Sequence, residues 1–129
     1  MVNVRFDEAA LHQLLNSTTG PVGRHMRTIG LRIYAGATSM AGHRTGQLRR
    51  RMYVSQGTKG RYQYVEVGSK ARHAYMHHEG TKPHRILPEN GRLLRFNVGG
   101  RVVYARKVMH PGTRPNPFLT VPMRRVVSK

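Results

Sequence analysis

Only five carboxylates, Asp7, Glu8, Glu66, Glu79 and Glu89, stand against twenty-three lysines and arginines, giving a formal charge of +18. Charges of one sign cannot be buried unpaired, and their mutual repulsion opposes compaction, so the fold must carry them outward. Such a surface implies a neutralising partner: nucleic acid, or acidic neighbours in an assembly. Each phosphate contact releases counterions, so DNA should bind at least non-specifically at low salt. Five acids are also too few for most hydrolytic designs, and they offer no paired carboxylates to hold a magnesium ion for phosphodiester cleavage.

With 129 residues, 38% of them hydrophobic, 7% aromatic and no Trp, the chain is expected to form a single domain, 1–129, with one modest core. Much of its surface must then be polar or matched to another chain. The absence of Cys removes disulfides and thiolate chemistry and suits synthesis in a reducing cytoplasm. Met1 to Ala10 does not read as a signal peptide, and no apolar run approaches the ~20 residues that span a bilayer. A soluble protein with no membrane partner is expected.

Phe6 to Asn16 reads as a short helix capped by Asp7, ended by Ser17 to Gly20. Pro21 suits a first turn, and Val22, Met26, Ile29, Ile33 and Ala37 then recur at helical spacing, with Arg24, Arg27 and Arg32 on the other side. From Gly46 the pattern turns extended: Leu48 to Val54, a turn over Gly57 to Gly60, and a return over Tyr62 to Val67. Ala71 to His78 has room for one or two helical turns. Leu93 to Val98 and Arg101 to Val108 flank Gly99 and Gly100, the clearest hairpin signal in the chain. Pro117 to Val127 is expected to be a last short helix or strand, helical if Pro122 lies in its first turn.

One pattern occurs twice, as Gly80, Thr81, Lys82, Pro83 and as Gly112, Thr113, Arg114, Pro115, each led by a histidine, His78 and His110. Gly followed by Pro fixes a turn with an extended exit. Two readings stand: similar surface turns, or loops that grip a phosphate or a partner, although neither has the glycine spacing of a P-loop. His73 and His77 would share a helical face, but Glu79 is the only nearby acid for a metal site, and no metal or other cofactor is expected. A nuclease built on His77, His78, Glu79, Asn90 and Asn97 lacks an acidic pair, and the chain is not expected to be an enzyme. Arg49, Arg50 and Arg51 are candidates for DNA contact or for pairing with acids on a neighbouring chain; on a strand, at most two face one way.

These residues resemble a family. The run His43, Arg44, Thr45, Gly46, Gln47, Leu48, Arg49 after a long helix is similar to the Thr-Gly-x-Leu-Arg step of the small neck, head-to-tail joining or tail-completion proteins of long-tailed bacteriophages. Tyr75, Glu79, Gly80, Thr81 and Pro83 resemble that family's Tyr, Glu, Gly, Thr segment, and Pro117, Phe118 and Leu119 its closing Pro-Phe-Leu. The similarity spans residues 20–127, leaving 1–19 as a preceding short helix. This chain departs in its basicity, its short terminal helix, and His77 and His78. The resemblance implies an α+β fold, with a long helix packed on a twisted antiparallel sheet, extended hairpins and a short C-terminal helix. It further implies a virion subunit that forms a ring, hexameric in preference to dodecameric, between connector and tail-tube proteins, with genomic DNA passing through the channel. Adaptor, stopper, joining protein and terminator stay open as positions. The two Gly-Thr loops are the expected subunit or partner contacts. The alternative is a small basic nucleic-acid-binding module.

Overall fold

The computed structural model describes residues 3–42 and 44–129 of the chain, which places His43 of the family-like run outside the described residues. Asp7 accepts hydrogen bonds from the amides of Ala9 and Ala10, so the first helix, α1, begins just after it and spans Glu8–Asn16. It starts two residues later than Phe6 because a capping residue lies outside the helix it caps. The second helix, α2, spans Pro21–Met40 with Pro21 in its first turn.

Along α2 the buried positions are Gly23, Gly30 and Ala37. Their sevenfold spacing returns them to one side every two turns. Val22, Met26, Ile29 and Ile33 flank this line, partly buried, and Arg24, Arg27 and Arg32 face outward, as the periodicity requires. The small residues set the distance to the layer beneath: a Cβ on Gly30 would lie 2.3 Å from Cγ1 of Val65 and 3.3 Å from Cγ2 of Val54.

Those valines belong to a hairpin of β1 (Met52–Lys59) and β2 (Tyr62–Ser69), paired antiparallel from Met52 with Ser69 to Lys59 with Tyr62. The expected turn over Gly57 to Gly60 is shorter than the sequence suggested, because β1 continues through Gly57 and only Gly60 and Arg61 form the connection. Tyr64 stands opposite Gly57 and Tyr53 opposite Gly68, each ring lying over its glycine, so an aromatic neighbour supplies the packing that the glycine lacks.

The expected strand over Leu48 to Val54 is also corrected. Gly46, in a left-handed conformation, starts a single helical turn, α3 (Gln47–Arg50), and the strand begins only at Met52. A turn of helix drives Leu48 into the core, where it is buried with Met52. The Arg49 side chain meanwhile reaches back to the end of α2.

After α4 (Ala74–Glu79) the chain runs out and back as an arm. Its stem pairs β3 (His84–Ile86) with β6 (Val108–His110), and its outer part pairs β4 (Leu94–Val98) with β5 (Arg101–Ala105). Gly99 and Gly100, both at positive φ, form the two-residue tip. The second run, expected to continue to Val108, breaks after Ala105. Residues 87–93 on one side face only Arg106 and Lys107 on the other, so the two ladders are out of register. The last helix, α5, spans Thr120–Val127 with Pro122 in its first turn, where proline is tolerated, packed against Gly36 of α2. The α+β class, with its long helix, antiparallel hairpins and short C-terminal helix, is as expected; among the described residues the strands form three separate two-stranded ladders.

The core is small: Ala37, Ala41, Leu48, Met52, Ala71 and Phe118, edged by Tyr34, Met40, Ala74 and Leu119. Among the described residues Phe118 is the one large side chain that is wholly enclosed. No helix among them is long and apolar enough to cross a membrane.

Candidate interaction site

The two Gly-Thr segments, 32 residues apart in sequence, lie against each other. Thr81 and Thr113 form an antiparallel bridge, each amide donating to the other's carbonyl at 3.0 Å, and their hydroxyls meet at 2.7 Å. The same register continues through His84 opposite His110, whose rings lie 5.1 Å apart. A local two-fold relationship is centred on the Thr81–Thr113 bridge, because these are equivalent positions of the two copies.

The glycines obey it. A Cβ on Gly80 (φ +75°) would sit 2.6 Å from the Thr113 carbonyl oxygen and 2.8 Å from the Pro115 nitrogen. One on Gly112 (φ +87°) would sit 2.3 Å from the Thr81 carbonyl oxygen and 3.1 Å from the Pro83 nitrogen. Each copy therefore needs glycine for its own backbone and for its twin's approach. Lys82, Pro83, Arg114 and Pro115 remain exposed around this clasp. The repeat is thus one built unit with a cationic and prolyl rim, and its inner residues are spent on each other.

The histidines singled out for metal or nuclease chemistry have packing roles. Nε2 of His77 accepts from the Gly42 amide at 3.3 Å and from the Asn116 side-chain amide at 3.0 Å, and that amide also donates to the Met40 carbonyl at 2.9 Å. The Asn116 backbone amide donates to the His77 carbonyl at 3.1 Å. His77 and His78 both contact the ring of Phe118, with centroids 5.7 and 5.6 Å away. His78 Nδ1 meets Glu79 Oε1 at 2.6 Å. Asn90 and Asn97 belong to the arm, and among the described residues no three metal-type side chains converge.

The arginine run is divided by α3. Arg49 donates from Nε to the Ala41 carbonyl at 3.2 Å and from Nη2 to the Ser39 carbonyl at 3.3 Å, a cationic finish to the C-terminal end of α2. Arg50 donates to the Thr45 carbonyl at 3.2 Å. Arg51 is exposed at the end of α3. The expectation that these residues lie on a strand fails with the strand itself, and two of the three are turned to their own chain.

The sequence reading did not single out the arm's own side chains. Residues directly opposite in an antiparallel pair share a face. One arm face therefore joins Leu94 with Ala105, Phe96 with Val103 and Val98 with Arg101, and the other joins Arg95 with Tyr104 and Asn97 with Val102. Leu93, Val98, Val102 and Tyr104 are 46–58% exposed, and Leu87 is similarly open. At the base of the second face, Arg92, Leu93, Tyr104 and Arg106 line a shallow cleft with Pro88 and Gly91. The signal that would have found this face is the recurrence of arginine on both sides of the Gly99-Gly100 turn.

Compared with known proteins, the chain matches no family model, no curated protein and no solved structure.

Proposed function

We propose that this chain is a structural virion protein of a tailed-phage neck. It joins the DNA-filled head, on its portal or connector side, to the tail as a ring subunit, in head-to-tail joining, tail completion or tail termination. The observation that carries this reading is the arm, whose face opposite Arg95 and Tyr104 displays Val98 and Val103 to solvent, beside a body in which, among the described residues, one large side chain is enclosed. A chain with so little interior and two-stranded ladders with open edges gains burial by lending strands to neighbours, and a closed ring leaves no edge unsatisfied. The motif order that resembles the neck family supports the same reading. In it the protein acts by shape and charge complementarity, without catalysis, and assembles in the host bacterial cytoplasm before residing in the virion.

Mass measurement in solution at moderate salt, with and without tail-tube or connector proteins, tests it. A discrete ring, alone or on addition of the partner, is the expected result. The charge of +18 favours a second reading, a small nucleic-acid-binding module. A monomer indifferent to those proteins but shifted by DNA near physiological salt would establish that reading in place of the first.

A further inference from the structure

We infer that the β4–β5 arm is a DNA-binding ribbon, whose Arg95 and Tyr104 face, continued by Arg92 and Arg106, lies along a groove of duplex DNA and contacts its phosphates without reading sequence.

The inference begins with charge. From β3 through to β6 the chain carries Arg85, Arg92, Arg95, Arg101, Arg106 and Lys107 against the single acid Glu89. Arg24, Arg49 and Arg50 are drawn to their own backbone, while Arg27, Arg32 and Arg61 are exposed on the body. What sets the arm apart is concentration: Arg95 lies on the narrow β4–β5 ladder with Arg92 and Arg106 at its base, all exposed, while Arg101 stands at the tip on the opposite face.

Shape selects among polyanions. Two strands about 5 Å apart and five residues long make a ribbon roughly 17 Å in length, and a two-stranded ribbon fits the ~12 Å major groove of B-DNA. Arg95 stands directly across from Tyr104, and Arg92 and Arg106 line one cleft with it, so three arginines belong to the same stretch of surface as the tyrosine. Guanidinium groups suit bidentate phosphate contact, and a tyrosine hydroxyl donates to phosphate oxygen. The tip glycines have open space where a Cβ would be, so the turn carries no side chain to obstruct entry. Asn97 and Val102 complete the face with no acid on it.

This goes beyond ring assembly and does not depend on it. The full chain is titrated with a fluorescent duplex of mixed sequence between 50 and 200 mM salt, in parallel with single-stranded DNA and with a polyglutamate peptide. The variant R92A/R95A/R106A is compared with R27A/R32A/R61A, which removes the same charge from exposed positions elsewhere. Circular dichroism confirms that both are folded. The arm variant is expected to flatten the logarithmic salt slope by about 2.7, about a 40-fold smaller loss of affinity across that salt range, while the control variant changes it little. Equal effects from both variants would overturn the inference. So would an arm-dependent loss confined to polyglutamate, which would indicate an acidic protein, or one confined to single strands. Mass measurement on the same variants separates the two ideas. A ring whose DNA binding ignores the arm sinks this inference alone, and arm-dependent binding by a chain that never assembles sinks only the neck reading.

Discussion

Thr81 and Thr113 exchange both main-chain hydrogen bonds and touch hydroxyl to hydroxyl at 2.7 Å, joining the two copies of one short motif across a local two-fold axis. This bridge closes the foot of the arm. It also explains why each copy carries glycine, since Gly80 and Gly112 each lie against the backbone of the opposite copy.

Substituting alanine for Gly112 forces a side chain into a positive-φ position and against the Thr81 carbonyl. A loss of about 2–3 kcal/mol is expected, with Gly80→Ala close to it by symmetry. Gly91→Ala, also at positive φ but facing open space, is expected to cost about 1 kcal/mol. Urea midpoints for the three variants provide the comparison, and equal losses would show that backbone conformation alone, not the twin's approach, selects glycine.

Asn116→Ala removes the donor shared between the Met40 carbonyl and His77 Nε2. Stability is expected to fall by about 1–2 kcal/mol, since both acceptors are left partly buried. The double variant with His77→Ala should lose less than the sum of the singles, because the two share one bond. Strict additivity in denaturant unfolding would contradict the network.

Arg49→Ala is expected to lower stability by about 1 kcal/mol by exposing the last carbonyls of α2, whereas Arg51→Ala should stay within about 0.5 kcal/mol. Thermal melts distinguish these outcomes. Equal effects would return the arginine run to a uniform solvated stripe.

The Tyr53 hydroxyl donates to Glu66, and this hydrogen bond, with burial and the negative charge adding to it, raises the phenol above its ordinary range. The folded chain therefore holds that proton more tightly than the unfolded one. The contribution to stability is complete below the unfolded value near 10 and is lost as pH rises through the folded value. Ultraviolet titration should show one tyrosine ionising late, and Glu66→Gln should bring it earlier; an unchanged curve would mean that Glu66 is not the cause.

Much of the helical architecture was legible because periodicity reports it directly: α2 follows from the spacing of Val22 to Ala37, and Asp7 marks the start of α1. The turn at α3 was not, since Tyr53 and Val54 suit a strand and the helix formers before them, Leu48 to Met52, make a run too short to show helical periodicity. What decides its shape is the need to bury Leu48 while Arg49 returns to α2, a tertiary demand with no local trace. The repeat was visible, but its internal pairing was not. A clue was present, in that the Gly99-Gly100 turn falls nearly midway between the copies, so a hairpin centred there brings them together. His77 drew attention as a ligand type, and only the positions of Gly42, Asn116 and Phe118 reveal it as a packed acceptor.

Because the chain departs at His84 and re-enters at His110 through a paired stem closed by Thr81 and Thr113, everything beyond the stem is topologically an insertion. Residues can be added to or removed from the 87–107 stretch without shifting any core position. Reach and surface chemistry can therefore change by lengthening or exchanging this cassette, while the body that anchors it stays the same.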